Sequence, residues 1–65
     1  KMELKKLNDD QKLELRELLY YRKETEAMAL EVQERNKHYV TELGKLFSVP
    51  NAHEIKWDDL VECLL

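Results

Sequence analysis

The chain has 65 residues, 43 % of them apolar and 38 % charged, with a formal net charge of −3. A chain this short holds one domain at most and, folded alone, buries only about 60 % of its unfolded surface. A nucleotide-binding α/β fold, a barrel and a two-domain cleft are thereby excluded. One Gly and one Pro are too few for the turns of an all-β fold, and one Cys excludes a disulfide scaffold and a cysteine-based zinc module.

Charge is unevenly placed. Residues 1–24 carry seven basic groups against six acidic ones, and residues 25–65 carry four against eight. A duplex nucleic-acid binder shows a basic stripe with few acids in it, so this pattern disfavours nucleic acid as a partner. No apolar run approaches the ~18 residues of a membrane span, and no signal-peptide pattern is present. Lone Cys63 is compatible with a reducing compartment. The expectation is a cytoplasmic protein without a membrane partner. Met2 reads as the natural start, with Lys1 a remnant ahead of it.

Residues 1–8 form an N-terminal arm, KMELKKLN. Asn8 is a good N-cap for the helix that follows, with Gln11 as its capping-box partner. Asp9 and Asp10 fall in the first turn, at the positive end of the helix dipole. From Asp9 to Phe47 there is no Pro and a single Gly, and Leu, Glu, Lys, Arg and Gln dominate, all strong helix formers. The pattern predicts one helix of about 39 residues, roughly 58 Å long. Gly44 reads as an interior glycine, because Leu43, Leu46 and Phe47 continue the apolar stripe across it, or else as a C-cap that ends the helix near Leu43. Pro50 places a turn at residues 48–51. A second helix follows over about 52–65, capped by Asn51 with Glu54, or else starting at Trp57 with Asp58 and Asp59 in its first turn. It folds back as a hairpin, packing Trp57, Leu60, Val61 and Leu64 against Leu46 and Phe47.

With Leu15 at heptad position a, the seam runs through Leu15, Arg22, Ala29, Asn36 and Leu43, with Leu18, Thr25, Val32, Tyr39 and Leu46 at d. Leu19, Val40, Phe47, Tyr21 and Met28 broaden it to a bundle-forming stripe. Leu13, Tyr20, Ala27 and Leu30 make a second strip on another side. The C-terminal helix spans only roughly 14–21 Å, so it reaches Leu43, Val40 and Tyr39 but not Leu15, Leu18 or Leu19. Isolated helices are marginal in water, and a second copy is the simplest cover. The expected fold class is therefore all-α: a long helix and a short one, assembled between chains into a helical bundle or coiled coil. The expected oligomer interface is Leu15, Leu18, Leu19, Arg22, Met28, Ala29, Val32, Asn36, Tyr39 and Leu43. Asn36 and Arg22 sit at its wet edge, or else Asn36 pairs with its mate and sets register.

Little in the chain points to chemistry. His38, His53 and Cys63 have no zinc-ligand spacing. Cys63 and His53 lack a third group for nucleophilic catalysis. The acidic pairs Glu14/Glu17, Glu31/Glu34 and Asp58/Asp59 suit solvated helix faces and helix starts. No cofactor, metal or catalytic residue is expected. Tyr20, Tyr21, Arg22 and Lys23 form the best basic-aromatic cluster and the candidate contact for a partner, although consecutive helical residues point about 100° apart. In style, the chain resembles small bacterial or phage accessory proteins: short, rich in Lys and Glu, poor in Gly. The expected function is that of a non-catalytic homo-oligomer binding another protein, as a regulator, inhibitor or assembly factor. The acidic balance of residues 25–65 suits an inhibitor of a basic target, for example an anti-defence or host-takeover factor. Two alternatives stand beside it: an oligomer sequestering a nucleotide-like ligand near Tyr20–Lys23, and a weak nucleic-acid binder acting through Lys5–Lys23.

Overall fold

A computed structural model describes residues 4–29 and 31–65. The first three residues of the N-terminal arm, Met2 among them, and Leu30 of the second apolar strip lie outside the described residues. The regular structure is helical: α1 (Asp9–Met28), α2 (Val32–Phe47), a 3₁₀ turn (Ala52–Glu54) and α3 (Trp57–Glu62).

Helix α1 begins as its sequence dictates. The Asn8 side chain accepts from the Gln11 amide at 2.8 Å, and the Asn8 amide donates to Gln11 Oε1 at 3.0 Å. Two of the free donors of the first turn are thus satisfied reciprocally.

The single long helix does not form. Helix α1 ends at Met28, and after a three-residue connection α2 runs back along it. Ala29 and Glu31 both take left-handed backbone, with φ of 53° and 47°. The Ala29 amide closes α1 by donating to the Thr25 carbonyl at 2.9 Å. No residue in this connection is a breaker, and a side chain in the left-handed region costs about 1–2 kcal/mol. Burial outweighs that. Folding back buries Leu15 and Leu19 on α1 with Tyr39 and Leu43 on α2, and each fully buried Leu-sized side chain gains about 1.5–3 kcal/mol. Local propensity favours the straight helix, and tertiary packing overrides it. The molecule is 32 Å in its longest dimension, far shorter than the expected long helix.

Helix α2 does pass through Gly44, as the interior reading expects, and ends when Ser48 turns left-handed with φ 56°. The Gly44 carbonyl accepts from the Val49 amide at 3.1 Å. A Cβ at Gly44 would lie 3.0 Å from the Val49 carbonyl oxygen, so the missing side chain lets the return loop lie against the helix.

The C-terminal segment is less helical than the expected 52–65. Both candidate starts are used in part: a 3₁₀ turn covers Ala52–Glu54, and α3 starts at Trp57. Ile55 and Lys56 between them are extended. Ile55 is buried, as are Ala52 and Leu60, and the break turns these three into the core. Asn51 makes no side-chain cap. Of the residues expected to pack this hairpin, Leu46, Phe47 and Leu60 are buried, and Trp57 and Leu64 half-buried. Val61 is exposed, contrary to expectation, because α3 is too short to bring a second apolar column onto α2.

The cover assigned to a second copy is therefore provided by the chain itself. Leu15, Leu19, Tyr39 and Leu43 close one core, with Leu18 half-buried at its edge. Met28, Ala29, Val32 and Asn36 are exposed around the turn and along α2.

Candidate interaction surfaces

Arg35 pins the hairpin, a role the sequence reading missed. It projects from the second turn of α2 onto α1. Its Nε donates to Thr25 Oγ1 at 2.8 Å, and its Nη2 lies 3.2 Å from Glu24 Oε1. Its guanidinium stands 4.2 Å from the centre of the Tyr21 ring. Thr25 is buried and donates in turn to the Tyr21 carbonyl at 2.9 Å. The planar guanidinium meets hydroxyl, carboxylate and ring at once, which an ammonium would not. No local pattern signals this, because the partners lie ten and eleven residues away.

Arg22 makes the second clamp. Its guanidinium lies 5.7 Å from the Tyr39 ring centre and 5.1 Å from that of Trp57, joining α1 to α2 and α3 by cation–π attraction. Its Nε also pairs with Glu26 at 3.3 Å. Burial works against its charge, but Tyr39 and Glu26 outweigh this and hold the guanidinium pKa above its ordinary value. The Tyr39 hydroxyl is buried with no hydrogen-bond partner among the described residues. Burial raises its pKa, and the Arg22 cation offsets part of that rise. Cys63 is half-buried, and burial, then Asp59 and Glu62, keep its thiol pKa above the ordinary range. This is the environment of a packing thiol and not of a nucleophile.

The four residues of the basic-aromatic cluster are dispersed. Tyr20 is exposed, Tyr21 lies beneath Arg35 and edge-on to His38 at 5.5 Å, and Arg22 is clamped at Trp57. Lys23 approaches the same Trp57 ring at 5.9 Å. The helix turns them apart, and they present no common platform.

Two surfaces stand out among the described residues. One is a groove of about 600 Å³ between α1 and α2, floored by Leu18, Tyr21 and Leu46, with Glu14, Glu17 and Glu42 on its walls and Lys5, His38 and Lys45 beside them. Its charges are mixed, and Lys45 already lies 3.9 Å from Glu42.

The other is the outer face of α1, opposite the core. Leu13 and Tyr20 are 55 % and 69 % exposed, and Ala27 continues their line at the same seven-residue interval. At about 100° per residue, Lys12, Arg16 and Lys23 fall on one side of this line, with Asp9 at its start, and Asp10, Glu17 and Glu24 on the other. An apolar strip thus runs between a basic edge and an acidic edge. Met28 and Val32 extend the exposed apolar surface at the turn.

Among the described residues, no group of three or more His, Cys, Asp or Glu side chains could hold a metal ion. No described helix is long and apolar enough to cross a membrane. No protein-family model, curated protein or solved structure matches the chain.

Proposed function

We propose that this chain is a non-catalytic protein-interaction domain that works as a homo-oligomer and recognises another protein through the outer face of α1. The observation that carries this reading is the strip of Leu13 and Tyr20, exposed although the same helix buries Leu15 and Leu19 on its other side. Exposed apolar side chains in a line between two charged edges suit the docking of an amphipathic helix. The partner helix would place an acidic edge against Lys12 and Arg16, and a basic edge against Asp10 and Glu17. Such edges set orientation and partner choice, while the apolar strip supplies most of the affinity. A regulator, inhibitor or assembly factor of bacterial or phage type would act in this way, by occupying a surface on its target.

A photo-crosslinking residue in place of Tyr20, introduced in the cells that express the chain, tests this. One discrete adduct with a second protein is expected from position 20, and none from buried position 43. Equal, diffuse labelling from both positions would overturn the reading.

A further inference from the structure

The acidic edge of the outer strip on α1 is also the lip of the groove between α1 and α2. A shallower depression of about 310 Å³ lies on the outer side of that lip, and its lining includes Asp10, Leu13, Glu14 and Glu17. Glu14 and Glu17 line the groove as well. The strip therefore runs through Leu13 into the depression, over two carboxylates and down into the groove. Asp10, Glu14 and Glu17 stand at i, i+4 and i+7 on one helix, where like charges repel. None of the three forms an ion pair with a described residue. Across the groove, half-buried Glu42 adds a fourth carboxylate from α2. Its ion-pair partner, Lys45, is 3.9 Å away with a side chain 72 % exposed, a contact of the kind that contributes little. Lys5, the other ammonium on the rim, is exposed too, and flexible stems let both turn to water.

The floor beneath these charges is apolar, made by Leu18, Tyr21 and Leu46. Acidic walls over an apolar floor match a side chain with an apolar stem and a cationic head. We propose that the groove receives an arginine from the basic edge of the partner helix that docks on the outer face of α1. This rests on the proposed function and names the partner's chemistry at one position. The arginine stem lies on Leu18 and Leu46. Its guanidinium reaches Glu14 and Glu17 on one wall and Glu42 on the other. Arginine suits the groove better than lysine, because its planar fork donates to two carboxylates at once. Bound there, it relieves the repulsion along the acidic row and replaces Lys45 at Glu42. The strip accepts any apolar helix face, whereas the groove selects a partner with a long cation beside that face.

Proton–nitrogen correlation spectra of the whole chain test this with two probes, N-acetyl-arginine methylamide and its neutral citrulline counterpart. The arginine probe should move the amides of Glu14, Leu18 and Glu42, with a saturable midpoint in the millimolar range. The citrulline probe, matched in shape, should bind at least about tenfold more weakly. Glu14→Gln with Glu42→Gln should weaken the arginine probe by a similar factor. Glu54→Gln with Asp58→Asn, two acids outside the groove, should leave it unchanged. Equal binding of the two probes, or binding that survives Glu14→Gln with Glu42→Gln, would overturn the groove as a cation site. The adduct from a crosslinking residue at position 20 separates this inference from the reading on which it rests. An adduct that persists while the probes bind equally overturns the arginine alone and leaves the outer face standing. Charge-selective probe binding with no adduct from position 20 overturns the shared partner.

Discussion

Ala29→Gly removes one methyl group and has opposite consequences in a hairpin and in a continuous helix. In the hairpin, Ala29 is left-handed with φ 53°, exposed, and bonded through its amide to the Thr25 carbonyl. Glycine keeps that bond and relieves about 1–2 kcal/mol of steric strain. Its extra freedom in the unfolded chain takes back roughly 0.5–1 kcal/mol. The net expectation is a gain of about 0.5–1 kcal/mol, raising Tm by roughly 2–8 °C for a domain of this size. In a continuous helix the same change would sit in the interior and lose about 1 kcal/mol. Urea unfolding followed by circular dichroism separates the two, at a concentration where ultracentrifugation shows monomer. A midpoint that rises with unchanged slope supports the hairpin. A midpoint that falls by the equivalent of about 1 kcal/mol refutes it.

Further outcomes follow from the same packing. Asn8→Ala should lower stability by about 1 kcal/mol through loss of the capping box, measured by the same unfolding curves. Leu43→Ala, at a site 1 % exposed, should lose about 2–5 kcal/mol and broaden the near-ultraviolet spectrum. Gly44→Ala gains about 1 kcal/mol of helix preference but sets its Cβ 3.0 Å from the Val49 carbonyl oxygen, and the cost of that crowding, about 1–3 kcal/mol, should lower the unfolding midpoint. The Tyr39 phenol has a pKa raised by burial, so the folded state holds this proton more tightly than the unfolded one. Its contribution is complete below the ordinary phenol pKa and is lost as pH rises through the raised value. Tyr39→Phe should flatten that alkaline decline and leave stability near neutrality unchanged or higher, since the buried hydroxyl has no hydrogen-bond partner within bonding distance among the described residues.

Parts of this fold are legible in the sequence because their causes are local. The Asn8 cap, the first-turn acids, the interior Gly44 and the stop near Pro50 each depend on residues within four positions of one another. The turn between α1 and α2 is not legible, because Ala29 and Glu31 carry helical preference and only distant burial overrides it. The heptad seam did identify Leu15, Leu19, Tyr39 and Leu43 as residues needing cover. The error lay in the direction from which cover comes: a helix long enough to need a second copy was instead divided in two. Arg35 escaped notice because its targets lie a full hairpin away. The strip of Leu13, Tyr20 and Ala27 was visible as a second apolar column. Its significance emerged only when the seam proved to be closed within one chain, which left this column uncovered.

The outer face of α1 is tested most directly by the affinity for the protein crosslinked at position 20. Leu13→Asp with Tyr20→Ala changes two exposed side chains, and the unfolding midpoint should stay close to that of the parent chain. The account predicts that this variant loses at least about tenfold in affinity, equivalent to ~1.4 kcal/mol, with the fold intact. Unchanged affinity in a folded variant would contradict it.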